Sequence, residues 1–342
     1  MPFEIDLNFI LFILLGILIT GFAILDGFDL GVGALHLLNK DDNDRRIMLN
    51  SIGPVWDGNE VWLVTAGGAM FAAFPDVYAT VFSGFYIAII LLLVALIFRA
   101  VAIEFRSKEK MKWWRNTWDI AFSLSSIFIA FIFGVALANV ITGIPINQDQ
   151  EYVGGFFELL NPFALLLGLT TVALFMMHGS IYVVMKTEGD MHNKIRGWVN
   201  NTIIFFVICY VTTTMVTLIY YPHMAQIFKD NPQFFIIALL NMLAIANIPR
   251  EITRGKDFFA FLSSSFTIAS LMLIVGIGIY PNLVLSSIDP SYNLTIYNAA
   301  SSQQTLKNIL IIALIGIPFV LAYTGVVYWI FRGKVKINSR SY

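Results

Sequence analysis

Nine stretches of the chain read as nearly unbroken apolar runs, at 7–38, 47–74, 77–105, 118–142, 160–185, 197–221, 233–249, 258–281 and 305–331, with short polar connections between them. About 20 residues at a rise of ~1.5 Å each carry a helix across the hydrocarbon of a bilayer. The runs therefore predict an all-α polytopic membrane protein with nine transmembrane helices, several of them long enough to tilt or protrude. The run at 233–249 is the shortest. Pro162, Pro222, Pro232, Pro249 and Pro281 fall near run ends, where helix starts and stops tolerate them, whereas Pro54 and Pro318 lie inside runs and predict kinks. The whole of 1–342 is expected to be one membrane domain. Within it, 1–142 supplies helices 1–4, 160–281 supplies helices 5–8, and 305–331 is a ninth, peripheral helix, giving two four-helix bundles plus one.

Polar punctuation gives the orientation. Basic residues cluster in alternate connections: Lys40, Arg45 and Arg46; Arg106, Lys108, Lys110, Lys112 and Arg115; Lys186, Lys194 and Arg196; Arg250, Arg254 and Lys256; and Arg332, Lys334, Lys336 and Arg340. Only Lys229 and Lys307 remain for the other side, with Arg99 inside a run. The positive-inside rule then places the amino terminus outside and the carboxyl terminus in the cytoplasm. An odd number of crossings agrees. The connection 143–158 is acidic, with Asp149, Glu151 and Glu158, while 282–304 is long, polar and nearly uncharged, and reads equally as an ordered cap or a mobile loop.

Composition excludes a soluble domain: of 342 residues, 58% are hydrophobic and 13% charged. The residues before the first run carry two acids and no base, so no cleavable signal is expected and that run stays in the mature protein. The single cysteine, Cys209, lies in an apolar run and forms no internal disulfide.

The candidate chemistry is electrostatic. Asp26 and Asp29 sit in the first run, Asp57 and Glu60 in the second, and Arg99 and Glu104 close the third. Ionisable side chains inside a membrane are costly and mark sites that titrate or bind. Within each acidic pair the i, i+3 spacing puts both carboxylates on one side of a helix. With the first helix entering from outside, Asp26 lies roughly 28 Å along it, and a continuous second helix from Ile47 would carry Asp57 roughly 15 Å inward. All six groups are thus expected in the cytoplasmic half. A chain of such groups can pass protons; a static polar seam, with Arg99 neutralising one acid and others bonded to Asn59, is the alternative. Gly21, Gly27, Gly31 and Gly33, and Gly53, Gly58, Gly67 and Gly68, suit close helix packing. Gly31-Val-Gly33 follows no strand and is not a nucleotide fingerprint.

Four histidines are available. His192 and His223 are expected in solvated connections and His36 at an interface beside Lys40. His178, in Met176-Met177-His178-Gly179, is the one imidazole deep in a run and the one candidate haem ligand. No pairing suggests a bis-imidazole site, and no Cys/His cluster suggests zinc.

Several segments carry a resemblance: Asp26-Gly-Phe-Asp29-Leu-Gly-Val-Gly33; the stretch from Arg45-Arg46 through Gly53-Pro54-Val55-Trp56-Asp57-Gly58-Asn59-Glu60 to Trp62; Phe82-Ser-Gly-Phe-Tyr86; Phe98-Arg99; Glu104-Phe-Arg106; and Ser301-Ser-Gln-Gln-Thr-Leu306. Together they resemble subunit II of the cytochrome bd quinol oxidases, along the chain from the first helix to the last. The resemblance implies a terminal oxidase of the bacterial cytoplasmic membrane that oxidises quinol and reduces dioxygen to water. It implies a partner, subunit I, that holds haem b, haem d and the quinol site, with no metal ligated by this chain. It also implies a proton route from the cytoplasm through Asp26, Asp29 and Asp57, with Arg99 and Glu104 at its approach and Trp56 a candidate neighbour of the partner's haems. Some relatives carry Asp where Glu104 stands and Gln where Glu60 stands, which keeps the first carboxylate and places the second outside a shared requirement. A structural quinone occurs in some members, and a small single-helix subunit is a further candidate partner; nucleic acid is not. From the residues alone, a proton-coupled transporter and a purely scaffolding subunit stay open as competing functions.

Overall fold

The computed structural model describes residues 6–337. Twelve α-helices account for most of the chain: α1 (Leu7–His36), α2 (Asp42–Ile52), α3 (Trp56–Ala73), α4 (Pro75–Gly84), α5 (Tyr86–Phe105), α6 (Lys112–Thr142), α7 (Pro162–Lys186), α8 (Gly189–Tyr220), α9 (His223–Asp230), α10 (Phe235–Thr253), α11 (Asp257–Ile279) and α12 (Gln303–Ile330). Among the described residues, eight are long and apolar enough to cross a membrane: α1, α5, α6, α7, α8, α10, α11 and α12. The remaining expected crossing, 47–74, is divided. Gly53-Pro54-Val55 separates α2 from α3, because proline offers no N–H to continue the ladder and its ring crowds the preceding turn. At 18 residues, α3 is roughly 27 Å long, which is enough for the hydrocarbon layer, and it carries two carboxylates in its first five positions. Asp57 consequently sits in the opening turn of α3, not 15 Å into a continuous helix. Pro318 lies inside α12 as expected, and Pro249 inside α10, which runs one turn past the predicted end.

Local chemistry sets several boundaries. Asp6 caps α1 by accepting from Phe9 N at 3.1 Å, Asp41 caps α2 from Asn43 N at 2.8 Å, and Asn161 caps α7 from Ala164 N at 2.8 Å. Proline opens both α4 and α7, where its missing donor costs nothing. Gly143, at φ +83°, ends α6 in a conformation closed to side chains with a Cβ.

At the centre of the packing, α1 runs along α3, α6 and α7, and also meets α11 and α12. Its approach to α7 is backbone against backbone: a Cβ added at Gly31 would stand 1.8 Å from the carbonyl oxygen of Phe175 and 3.0 Å from Cα of Gly179. Small residues at a crossing allow this where lipid supplies no hydrophobic force between helices.

One end of the bundle is closed by chain. The segment 282–304 is an ordered cap: β1 (Asn282–Val284) pairs antiparallel with β2 (Leu294–Thr295), and Leu294, Ile296 and Ala299 are fully buried. Asn8 Nδ2 donates to Ile296 O at 2.5 Å, Ser301 N to Ala73 O at 2.9 Å, and Ser287 N to Ile144 O at 2.9 Å. The other end gathers the basic connections. Lys194 pairs with Asp44 at 2.6 Å, Arg106 with Asp42 at 2.8 Å, Arg196 donates to Ile252 O and Lys186 to Phe331 O. The alternate clustering of cations along the sequence thus becomes one basic face; Arg340 lies outside the described residues.

Replacing Gly31 with alanine forces α1 from α7 and should destabilise the protein by about 1–3 kcal/mol or more, as overpacking of a tight core does. Gly16→Ala on the same helix, where a Cβ meets nothing within 4 Å, should be neutral. Thermal unfolding of the two variants side by side checks the contrast.

Candidate functional site

Four of the six ionisable groups expected inside the membrane meet. Arg99, on α5, donates from Nη1 to Asp26 Oδ2 at 2.9 Å and from Nη2 to Asp26 Oδ1 at 2.5 Å, a two-pronged pair with both side chains fully buried. The planar fork of a guanidinium matches a carboxylate in this way, and an ammonium cannot. Glu60 of α3 approaches the same Nη1 at 3.7 Å and is 22% exposed, so it feels the charge without a hydrogen bond to it. Arg99 therefore ties α1, α3 and α5 together.

Asp29 lies one turn beyond Asp26 and is held differently. Its Oδ2 accepts from Asn59 Nδ2 at 2.7 Å, while its Oδ1 is buried without a partner among the described residues. Asn59 uses both donors and its oxygen: its amide nitrogen also donates to Leu25 O at 3.2 Å, and its oxygen accepts from the hydroxyl of Tyr328 at 2.9 Å. A hydrogen-bonded chain thus runs from Tyr328, near the end of α12 on the basic face, through Asn59 to Asp29.

Asp57 and Glu104 are placed differently from these four. Asp57 is exposed, one position in an outward stripe of α3 that continues with Val61, Val64, Gly68 and Phe71. Glu104 is half-buried in the last turn of α5, five residues past Arg99. Trp56, the first residue of α3, is buried within this chain's own core beside residues of α1 and α2.

A second charged cluster closes the basic face. His36 Nε2 and Asp119 Oδ1 lie 2.5 Å apart, Arg106 Nε donates to the same oxygen at 2.5 Å, and Arg45 Nη1 donates to Asp119 Oδ2 at 2.9 Å. Arg106 and Arg115 share Asp42 at 2.8 and 2.7 Å. His36 is fully buried in this cluster and not at an interface, because the facing carboxylate of α6, distant in sequence, compensates the polar ring. His178 uses both ring nitrogens, Nδ1 with Ser264 Oγ at 2.7 Å and Nε2 with Ile24 O at 3.0 Å, and stacks on Phe261. Ligating an iron would cost it one of these bonds, so its geometry fits a helix joint and not a haem ligand. His192 bonds Val184 O and His223 bonds Ile141 O. Among the described residues no group of three His, Cys, Asp or Glu side chains is arranged to hold a metal.

Tyr328 and the Asp119 cluster escaped the sequence reading. A tyrosine beside Trp329 at the end of the last apolar run is indistinguishable from an interfacial aromatic, and Asp119 pairs with residues 83 and 74 positions away.

The chain matches the family described as cytochrome bd terminal oxidase subunit II over residues 7–331. It is 37% identical to the cytochrome bd-I ubiquinol oxidase subunit 2 of Escherichia coli (strain K12), covering 96% of this chain and 95% of that one. It is 35% identical to the cytochrome bd ubiquinol oxidase subunit 2 of Bacillus subtilis (strain 168), covering 95% and 96%. Its fold superposes on the bd oxidase structure from Geobacillus thermodenitrificans with a TM-score of 0.77 at 17% identity, over 96% of this chain and 99% of that one. By family and by full-length relatives, the chain is a member of the cytochrome bd terminal oxidase subunit II family.

Proposed function

We propose that this chain is the proton-conducting and stabilising partner of a haem-bearing subunit I in a quinol oxidase of the bacterial cytoplasmic membrane, with the basic face turned to the cytoplasm. The single observation that carries this reading is the meeting of the buried Asp26, Asp29 and Arg99 with the partly buried Glu60 at the junction of α1, α3 and α5. Haem b and haem d, on the partner, supply the oxygen chemistry when bound; this chain's own imidazoles do not fit them.

The residues divide by how tightly they are held. Asp26 spends both oxygens on Arg99 and acts as a clamp. Asp29 keeps one oxygen open and Glu60 has no hydrogen bond from Arg99, so these two are the carriers. Asn59 does not itself exchange a proton in this scheme; it orients Asp29 and is oriented by Tyr328. Asp57, exposed on α3 among Val61, Val64 and Phe71, lies where a docked partner would receive what Glu60 passes on. Glu104 marks the approach from the cytoplasmic end of α5. Protons consumed by dioxygen reduction then travel inward, while those of quinol leave on the outer side.

In the assembled complex, Asp29→Asn should slow proton uptake by about tenfold or more, in keeping with the loss of a positioned proton carrier, while the haem spectrum is retained. Uptake followed with a pH-sensitive dye at the parent rate would remove Asp29 from the path. Asp57→Ala should lower oxygen-reduction turnover, read with an oxygen electrode, and a fully active, correctly assembled variant would count against its role.

The clamp makes a separate prediction on stability. Arg99→Leu leaves Asp26 buried without its cation and should cost about 3–5 kcal/mol, whereas the paired change of Asp26 and Arg99 to leucine should recover most of it. Thermal unfolding of the single and double variants measures both.

A further inference from the structure

A second feature of the basic face lies at α10 and α11. The last turns of α10, Lys256 of the connection and the first turns of α11 line a cleft of about 340 Å³. Its floor is polar and built across the two helices: Asn247 Nδ2 donates to Ser263 Oγ at 2.9 Å, and Arg250 Nη1 donates to Asn247 Oδ1 at 3.1 Å. Arg250 and Lys256 line its mouth. Glu251, nearly buried, lies 3.7 Å from Arg250 and 3.5 Å from Arg254, so one carboxylate is shared between two guanidiniums. Asp257 is the other acid nearby. Among the residues that line the cleft, two cations, Arg250 and Lys256, stand against one acid, Glu251, which leaves the mouth positive.

Beyond the mouth the cleft turns apolar. Phe259, Leu262 and Phe266 recur every three or four residues along α11 and are 54%, 45% and 46% exposed. These side chains continue the cleft from the basic end toward the middle of the bilayer. A free anion would gain nothing from that wall, and an uncharged chain nothing from the mouth.

We propose that the cleft binds an anionic phospholipid of the surrounding leaflet, its phosphate on Arg250 and Lys256 and one acyl chain along Phe259, Leu262 and Phe266. At about 30 Å³ for a water-sized group, the cleft, its apolar wall included, has room for roughly ten non-hydrogen atoms, enough for a phosphate and the groups beside it but not for a whole lipid. Basic pockets between membrane helices on the positive side recognise such headgroups, and each cation near the surface adds an attraction that falls away within a Debye length. The partially exposed guanidinium of Arg250 suits the phosphate oxygens, and the methylene stem of Lys256 can follow the apolar wall to its charge.

The test uses the intact oxidase complex, reconstituted in nanodiscs of equimolar phosphatidylglycerol and phosphatidylcholine, extracted gently and examined by native mass spectrometry for retained lipid. The parent should retain phosphatidylglycerol in preference to phosphatidylcholine. Changing Arg250 and Lys256 together to glutamine should reduce that preference by roughly 25-fold, at about fivefold for each cation removed. Arg250→Lys should keep most of the preference, and Lys336→Gln, an exposed cation of the same face outside the cleft, should leave it unchanged. A double variant that retains phosphatidylglycerol as the parent does would overturn the proposal, as would an equal loss in Lys336→Gln, which would signal diffuse attraction. Displacement of the lipid by inorganic phosphate would overturn it in favour of a free-anion site.

Discussion

The Asp26–Arg99 pair is the constraint around which the rest of the site is organised. Neither group could remain charged alone where it stands: an unpaired ion in a low-dielectric interior meets a desolvation penalty of several kcal/mol. Together they fix the distance and the relative rotation of α1 and α5, because a two-pronged bond tolerates little change in either. Glu60 is brought close by the same guanidinium, and Asp29 is carried along on α1. Glu60 and Asp29 therefore owe their position to the Asp26–Arg99 pair.

A fixed pair inside a bundle also needs a rigid frame, and glycine supplies it. Gly31 meets Gly179 and the carbonyl of Phe175, so α1 and α7 touch through their backbones. Such contact leaves no side-chain rotamers to adjust, and α1 cannot slide along α7 without steric clash. The helix that bears both Asp26 and Asp29 is consequently held closely against α7. Precision at a site whose groups sit a few ångströms apart follows from that stiffness.

Much of this was legible in the sequence, and unevenly so. The all-helical membrane class and eight of the nine expected crossings came through, as did the basic face, because hydrophobic runs and cation counts are local and redundant: losing one lysine from Arg106–Arg115 changes no conclusion. Six intramembrane charges announced the site, since the cost of burying them is a property of each residue by itself. Their grouping was less readable. Whether Asp57 turns inward with Glu60 or outward from it depends on where α3 begins, and Gly53-Pro54 moves that start by nine residues relative to an unbroken run from Ile47. Asn59 could be named as a partner because it lies between the two acids; Tyr328 could not, since 269 residues separate it from the amide it binds. His36 was misplaced for the same reason. A histidine beside Lys40 at a helix end looks wet until the carboxylate of Asp119, on another helix, is known to face it.

The two ends of the bundle are joined by different forces. At the cap, main-chain groups of the 282–304 segment bond to the Asn8 side chain of α1 and to the carbonyls of Ala73 in α3 and Ile144 just past α6. On the basic face, Lys194–Asp44 and Arg115–Asp42 are partly open to solvent, and salt weakens such pairs while leaving backbone bonds largely untouched. Ionic strength is therefore a lever on the basic end of the molecule: raising it loosens the grip between those helix ends and leaves the opposite rim largely as stiff as before.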